Sequence, residues 1–542
     1  MVLNNIKRFS AAVFLVATAF GCKKLDLAPK DRFTELTFWD YEVNVNNAVN
    51  DVYGRMYNSN YFFYNEALSD NAFTRLGISA GYPDVITSGN FTPTLARFLN
   101  EWNYYYAGIK AANIFLDNVD KNSTMDANLR ERRKAEVRFI RAFHYSRLIN
   151  WWGDVPLLKN DITPDEAKRV ARTPRAEVLE FILSELDAAA AVLPTRDQYP
   201  NSDRGRITRG AAKALKARVL LYEGNRMADV AAICEDLMNN QAENGTYALQ
   251  PNYSAVFSPN NEYNSEVILD LQYVPALRTW NNHIDYVPIS AGARSNNLAP
   301  TQELVDSYPM LNGKPISDPS SGYDPNNPYA GRDPRLAQTI VFHGATWNDA
   351  GGGSHTIYIE PGSDPSPAKV DEYNPSGQGT ATGYYWRKYY DPTAVAGFNS
   401  GLNLILIRYA DVLLMYAEAK QALGQMNEQI WNQTIRPLRV RAGFTDPAAL
   451  NYPGGDLTEI IRNERRVELA MEGTRIDDIR RWRIAENVLN GWAHGARYGD
   501  PSIDNGYIRA QLRAFDRTKH YLWPIPAEEI GKNSNLTQNP NY

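Results

Sequence analysis

Apolar residues recur at helical spacing between Asp456 and Arg483, and this stretch carries the clearest pattern in the chain. The residues that share one helical face are Leu457, Ile460, Ile461, Val467 and Met471. Gly473 can adopt the left-handed conformation that ends a helix, and Thr474 can begin the next one. The pattern therefore predicts two helices joined by a sharp corner.

A carboxylate interrupts this apolar stripe at Glu464, and Glu468 follows one turn later. Burying a carboxylate is costly unless it has a partner of opposite charge. One interpretation is an ion pair with an arginine that fixes the corner between the helices. The other is a catalytic carboxylate with a raised pKa. We favour the ion pair, because buried charges in proteins are normally paired.

Helical patterns recur in both halves of the chain. The predicted helices cover residues 41–57, 101–119, 131–150, 175–193, 209–223, 227–240, 405–423, 427–441 and the pair within 457–489. The pair 209–223 and 227–240 is rich in alanine and turns at Gly224. Helix pairs of roughly 34 residues are typical of tetratricopeptide repeats. We therefore predict a mainly α protein built on a tetratricopeptide-like helix-pair scaffold.

Two long segments, 58–100 and 244–403, lack this helical periodicity and are rich in turn-forming and aromatic residues. Short strand-like runs occur in the second segment at 266–271 and 356–359. Long irregular segments inside a compact protein are usually functional. We expect them to form a loop-rich ligand-binding region with short strands. The scaffold itself is expected at about 41–57, 101–240 and 405–490.

The first 21 residues read as a targeting segment. Lys7 and Arg8 precede an apolar run, 9–20, that is too short to span a bilayer. The run ends in small residues before Cys22, as in a bacterial lipobox, so we predict that Cys22 is lipidated. The alternative is an ordinary secretory signal with an incidental cysteine. Residues 22–542 would then form one mature domain.

Composition narrows the function classes. The net charge is −5 and no basic run follows the leader, which argues against nucleic-acid binding. Only two cysteines occur, so a disulfide framework is excluded, and Cys234 is expected to be buried and inert. The 33 Tyr and 11 Trp exceed what a core needs, so some rings are expected to face solvent.

The sequence matches few known catalytic or metal-binding motifs. The six histidines form neither an HExxH motif nor a zinc cluster. Residues 77–81 match GxSxG, but Pro83 follows and no apolar strand precedes, so we interpret the match as a coincidence. Residues 324–333 lack the alternating ligands of a calcium loop. We predict no catalytic residue, metal or cofactor, although a glycosidase that uses two carboxylates stays open.

Aromatic residues in polar loops are the strongest candidate chemistry. The predicted ligand-binding residues are Arg278, Trp280, Asn281, Asn282, Tyr82 and Trp347. A flat ring can stack on the apolar face of a sugar, while amides and a guanidinium can bond its hydroxyl groups. The alternative is that each ring pins its loop to the scaffold. For the set as a whole we expect at least one exposed platform.

Several stretches in this order resemble the SusD/RagB family of nutrient-binding outer-membrane lipoproteins of Bacteroidota. These stretches are the lipobox at Cys22, Arg138–Ala142, Trp152–Leu157, Asp333–Leu336, Ile407–Ala419, Ile461–Leu469, Leu522–Pro526 and Asn539–Tyr542. They span nearly the whole chain. The shared motifs belong to the scaffold, so they transfer the fold and the partner but not the ligand site.

The resemblance implies four tetratricopeptide-like helix pairs with a loop-rich ligand face. It implies a binding protein, not an enzyme, that captures oligosaccharides and delivers them to a SusC-like TonB-dependent transporter. The expected location is the outer membrane, through a lipid on Cys22, facing the cell exterior. Residues 23–26 lack the acidic cluster often associated with surface export. The open alternatives are a surface glycosidase, a pure protein scaffold, or a binder of peptide or another nutrient.

Overall fold

The computed structural model describes residues 37–77, 81–394 and 397–542. The predicted leader, Cys22 and the serine of the GxSxG match lie outside these residues. The first helices are α1 (Glu42–Gly54), α2 (Ser59–Tyr64), α3 (Pro83–Thr87), α4 (Ala96–Asn118), α5 (Ala127–Trp152), α6 (Pro164–Ala167), α7 (Arg175–Val192), α8 (Arg209–Glu223), α9 (Met227–Asn239) and α10 (Gln241–Asn244). The later helices are α11 (Gln302–Ser307), α12 (Arg335–Thr339), α13 (Tyr409–Ala422), α14 (Glu428–Gln433), α15 (Ile435–Ala442), α16 (Pro447–Leu450), α17 (Thr458–Glu468), α18 (Arg475–Arg481), α19 (Ala485–Val488) and α20 (Ala527–Lys532).

The strands are short and pair two by two. They are β1 (Ala72–Thr74), β2 (Val267–Leu271), β3 (Leu298–Pro300), β4 (Ile340–Val341), β5 (Thr346–Asn348), β6 (Ser354–Thr356), β7 (Tyr385–Trp386), β8 (Leu404–Arg408), β9 (Gly491–His494) and β10 (Arg509–Arg513). The antiparallel pairs are β1 with β3, β2 with β8, β4 with β7, β5 with β6 and β9 with β10. Most of them lie in the predicted loop-rich region.

The long helices pack as a chain of neighbours. Helix α4 contacts α5, α5 contacts α7, α7 contacts α8, α8 contacts α9, α9 contacts α13, and α13 contacts α17. The predicted pair at 209–223 and 227–240 is present as α8 and α9. The mainly α, helix-pair scaffold predicted from the sequence is confirmed.

The end of α5 shows how distant motifs meet in the core. Asp126 caps this helix by accepting a hydrogen bond from the Leu129 N–H. At the other end, the Trp151 ring stacks on Trp523 with centroids 4.0 Å apart. The Trp152 indole N–H donates to the Pro524 carbonyl at 2.9 Å. Two of the stretches that resemble the SusD/RagB family, Trp152–Leu157 and Leu522–Pro526, therefore meet in the core.

The corner predicted near the C-terminus is present, with one correction. Helix α17 ends at Glu468, so Met471 lies beyond it, with a left-handed backbone at φ 64°. Gly473 is also left-handed, at φ 69°, and a Cβ there would lie 2.8 Å from the Phe62 carbonyl. Its N–H donates to the Glu66 carboxylate at 3.1 Å. Gly473 therefore packs against α2 and the turn that follows it, and the helix is shorter than the apolar pattern suggests.

Glu464 is paired with arginines, as favoured from the sequence. It lies 2.7 Å from Arg335 and 2.8 Å from Arg439. Burial raises the pKa of the Glu464 carboxyl, but the two guanidinium groups outweigh burial and hold it below the ordinary value. The alternative of a catalytic acid with a raised pKa is wrong.

Two predicted helices differ from the structure, one because of a tertiary contact and the other because of a proline. Residues 405–408, predicted as the start of a helix, belong instead to β8 because they pair with β2 across the loop region. The predicted helix at 427–441 breaks at Thr434 into α14 and α15. Pro437 explains this break, since its ring clashes with the carbonyl four residues earlier in a continuous helix.

Candidate ligand-binding site

A cleft of about 540 Å³ opens in the loop-rich region. Its walls come from the turn at 284–294, the β5–β6 hairpin and the segments 390–394 and 397–398. A volume of this size suits a small ligand, since ligand pockets run from about 300 to 1,000 Å³. Predicted site residues lie in and behind these walls.

Asn281 lines the cleft and is exposed, between two buried neighbours. The Trp280 side chain is only 3% exposed, and its indole N–H donates to the Leu402 carbonyl at 2.7 Å. The Asn282 amide donates to the Asn60 side chain at 3.0 Å. These two anchors hold Asn281 at the rim. The Trp280 ring itself, 4.8 Å from Phe63, presents no stacking face to solvent.

Trp347 is 2% exposed and therefore also presents no platform. Its ring packs edge-on against Tyr390 with centroids 4.7 Å apart, and the Arg387 guanidinium lies over the ring, 5.4 Å from its centroid. Tyr390 is half-buried and lines the cleft. Trp347 therefore supports an aromatic wall residue from behind.

The other two predicted residues lie away from this cleft. Arg278 lines a separate cleft of about 280 Å³, and its guanidinium lies 5.0 Å from the Tyr273 ring. Tyr82 is half-buried at the start of α3, with a left-handed backbone at φ 56°. The structure thus brings together Trp280, Asn281, Asn282 and Trp347, but not Arg278 or Tyr82.

Polar side chains join the hairpin to the turn on one side of the cleft. His355 Nδ1 lies 2.9 Å from the Asp349 carboxylate, and its Nε2 lies 2.9 Å from the Ser290 hydroxyl. The Ser290 N–H donates to the Asp371 carboxylate at 3.1 Å. This chain of polar contacts holds the hairpin against the turn along one side of the cleft.

Asp391 stabilises the opposite wall. Its carboxylate is 2% exposed and accepts hydrogen bonds from the Thr393 hydroxyl at 2.6 Å and the Ser400 hydroxyl at 2.7 Å. His283 packs behind it, with Nε2 2.7 Å from the Tyr389 carbonyl. Burial lowers the pKa of His283 to about 4, so the imidazole is neutral near pH 7. Both groups order the loop.

Apolar and charged groups face each other across the cleft. Phe398 forms part of the floor and packs near Gly292, where a Cβ would lie 3.0 Å from its ring. Arg294 is exposed at the rim and forms no ion pair with the described residues. Rings beside amide, hydroxyl and guanidinium groups suit a ligand with apolar faces and hydroxyl edges.

Sequence reasoning missed Tyr390, Phe398 and Arg294. The signal that selected Trp280, an aromatic ring in a polar loop, also applies to Tyr390 in the run Tyr389–Pro392. That signal cannot separate a ring facing solvent from one that pins its loop. Only the packing distinguishes them.

A carboxylate with a raised pKa lies in the smaller cleft beside Arg278. Burial, followed by the nearby Glu262 charge, raises the pKa of Asp270 to about 7. Its Oδ2 accepts a hydrogen bond from the Asn403 amide at 3.0 Å. A raised pKa of this kind occurs at catalytic sites and also in buried networks.

Across residues 37–77, 81–394 and 397–542, no helix is long and apolar enough to cross a membrane. Within the same ranges, no three His, Cys, Asp or Glu side chains are grouped to hold a metal ion. Cys234 is buried, and burial raises the pKa of its thiol.

Two family models match the chain. The model of the SusD family matches residues 234–542. A second model, described as starch-binding associating with outer membrane, matches residues 25–221. Together they cover both halves of the scaffold and the loop-rich region that contains the cleft.

Relatives and solved structures agree with these matches. SusD-like protein P25 of Formosa agariphila is 27% identical over 98% of both chains. Starch-binding protein SusD of Bacteroides thetaiotaomicron is 25% identical over 84% of this chain and 81% of its own length. A SusD-like carbohydrate-binding protein from Bacteroides fragilis superposes with a TM-score of 0.81 at 32% identity, covering 92% of this chain and 100% of that one. A laminarin-binding SusD-like protein gives a TM-score of 0.69 at 25% identity, covering 93% and 100%.

Proposed function

The chain belongs to the SusD family, and on that premise we propose that it binds glycans at the outer membrane and delivers them to a transporter. In this proposal the protein captures oligosaccharides and hands them to a SusC-like TonB-dependent transporter. The observation that carries it is the cleft of about 540 Å³ in the loop-rich region, with aromatic walls and polar rims. Two of the similar proteins are named for binding starch and laminarin.

The cleft chemistry suits a sugar ring. The half-buried Tyr390 offers apolar surface for the CH face of the ring, above a floor formed in part by the mostly buried Phe398. Asn281 and Arg294 offer donors for the hydroxyl groups of the sugar. Trp280, Asn282 and Trp347 would act by holding these contact residues in place. Arg278 and Tyr82 stay predictions and would contact only a ligand that extends beyond the cleft.

The attachment and the partner are also proposals. A lipid on Cys22 would hold the protein at the outer membrane, and the body would face the cell exterior. The family model described as associating with outer membrane supports this location. Binding through stacking and a few polar contacts would be modest in affinity, which suits a protein that passes its ligand to a transporter.

The rival function is a surface glycosidase. Asp270 favours it, because its pKa of about 7 suits a general acid. The proposal of a binder has better support, since similar proteins are named for carbohydrate binding. Peptide or another nutrient as cargo is the further alternative.

A titration tests the proposal. The purified protein is titrated by calorimetry with starch, laminarin and other plant, host and microbial glycans, while released sugar is assayed. We expect binding without release. Tyr390→Ala and Asn281→Ala should each weaken binding about tenfold or more, because each removes a side chain that would contact the sugar directly.

The control is Asn432→Ala, which removes an exposed amide from α14, outside the cleft. It should bind as the unmodified protein does. Release of sugar would establish the glycosidase instead. Absence of binding to every glycan would overturn the proposal and favour a different cargo.

A further inference from the structure

A third cleft, of about 570 Å³, is formed by the end of α5, the end of α18 and the C-terminal segment that crosses them. Its basic lining residues are Arg172, Arg175, Arg480, Arg481, Arg483, Arg517 and Lys519. Its acidic lining residues are Asp154 and Glu223. The chain as a whole carries a net charge of −5, so this concentration of positive charge runs against the average.

Three of these cations have partners within the protein. Arg175 lies 2.6 Å from Glu223, and Arg481 lies 2.6 Å from Glu418. Arg172 donates to the backbone carbonyls of Trp152, Asp154 and Thr537. Glu223 and Glu418 neutralise Arg175 and Arg481, whereas the carbonyl oxygens leave the charge of Arg172 in place. The excess charge therefore resides in Arg172 and the other four cations.

Arg480 is buried and only partly satisfied. It is 7% exposed and lies 4.5 Å from the Trp151 ring. One terminal nitrogen donates to the carbonyls of Asn150 and Tyr521. Its Nε and Nη1 are buried without a hydrogen-bond partner among the described residues. A buried cation left in this state is costly, so the two free donors require an explanation.

Burial lowers the pKa of Arg480 to about 10, with Asp477 opposing the shift and Arg147 and Arg175 adding to it. The group is therefore still charged at neutral pH. No carboxylate of the described residues forms an ion pair with it. Its charge adds to the positive field of the cleft.

Three more cations lie at the mouth of the cleft. Arg483 and Arg517 are exposed, and Lys519 is half-buried. None forms an ion pair with a described carboxylate. Arg483 lies 4.3 Å from the Tyr521 ring and has a left-handed backbone at φ 55°, a conformation that a side chain rarely adopts. The end of α18 thus places Arg480 inside the cleft and Arg483 at its rim.

We propose that this cleft binds an oxyanion group, such as a sulfate, phosphate or carboxylate. A guanidinium presents parallel donors that match the oxygens of such a group. A concave site with low-dielectric walls concentrates anions of the opposite charge. The bound group belongs either to a free inorganic anion or to a charged substituent of a glycan. This site is separate from the cleft proposed for sugar rings and does not depend on it.

Calorimetry with the full chain tests the inference. Sodium sulfate, sodium phosphate and oligogalacturonate are each titrated into the protein. Sodium chloride at the same ionic strength serves as the reference. We expect saturable binding of at least one of the three probes. Arg483→Gln/Arg517→Gln should weaken that binding about tenfold or more, because two charge-assisted contacts are lost.

The matched control is Arg204→Gln/Arg436→Gln, which removes the same charge from exposed positions outside the cleft. It should leave anion binding unchanged. Arg480→Gln should also abolish binding, and circular dichroism shows whether that variant is folded. The exposed double variant keeps the test valid if Arg480→Gln does not fold.

The outcomes separate the sources of the anion. Binding of sulfate or phosphate supports a site for free anions, and binding of oligogalacturonate alone supports a charged glycan. Binding of no probe, or an equal loss in the control variant, overturns the inference. Neutral glycans should bind equally well to the unmodified protein and to Arg483→Gln/Arg517→Gln. A failure of the anion site can therefore be distinguished from a failure of the proposed glycan binding.

Discussion

Individual residues of the shared motifs act by neutralising one another in the interior. Glu468 lies 2.8 Å from Arg335 and 2.6 Å from Arg408, and it also pairs with Arg441. Arg335 in turn lies 2.7 Å from Asp333. Segments far apart in the sequence therefore meet in one buried charge cluster. This explains why the motifs specify the scaffold and say nothing of the ligand.

Glu468→Gln should destabilise the protein by about 3–5 kcal/mol, because removing one partner leaves buried arginines uncompensated. Urea unfolding followed by circular dichroism measures the effect. Glu459→Gln is the matched control, since the Glu459 side chain is 87% exposed. That variant should unfold at the midpoint of the unmodified protein. Equal midpoints for both variants would contradict the role assigned to the cluster.

The helices are positioned by close contacts that a one-dimensional pattern does not reveal. Helices α4 and α5 approach at Gly108, where a Cβ would lie 2.2 Å from His144 Nε2. His144 is fully buried between aromatic rings, including Tyr105 at 5.9 Å. Judged from the sequence alone, Gly108 would only lower the stability of its helix. Its role becomes visible only when the neighbouring helix is in place.

Gly108→Ala should destabilise the protein by about 1–3 kcal/mol, the usual cost of overpacking a filled core. Gly54→Ala is the control, because that glycine ends α1 and a Cβ there meets nothing within 4 Å. The control should be neutral or slightly stabilising, since alanine favours the helix. Thermal unfolding of the two variants checks the difference. A stable Gly108→Ala variant would show that α4 and α5 are not closely packed there.

At the scale of the whole molecule, buried carboxyl groups with shifted pKa values make the stability depend on pH. Arginine contacts outweigh burial and hold the pKa values of Glu464, Glu468 and Glu472 below the ordinary value. Their contribution is present above the unfolded pKa and is lost as the pH falls. Asp270 acts in the opposite direction, because burial raises its pKa to about 7. Its contribution is present at low pH and is lost as the pH rises toward 7.

We therefore expect stability to fall as the pH drops from about 6 toward 3, because the clustered carboxylates lose their contribution and the buried His283, whose pKa is lowered to about 4, gains no proton where the unfolded imidazole does. Melting temperatures from pH 3 to pH 8 measure the profile. Asp270→Asn should raise the stability at pH 7 relative to that at pH 4, because it removes a contribution that is lost between these pH values, and it should keep the loss below pH 4. Asp165→Asn is the control, since that side chain is 77% exposed, and it should retain the full profile. An unchanged stability difference between pH 4 and pH 7 in Asp270→Asn would contradict the assignment.

The sequence by itself determined the helix-pair scaffold, the paired state of Glu464 and the family. The first two depend on local periodicity and on the cost of burying an unpaired charge, which can both be judged from the sequence. The family was indicated by the resemblance of several motifs in a fixed order. The tertiary structure decided which rings face a cleft. Trp280 and Trp347 carry the same local signal as Tyr390, yet packing against Phe63 and Tyr390 buries them. Likewise, the basic cleft gathers side chains from 172 to 519, and only folding brings those charges together.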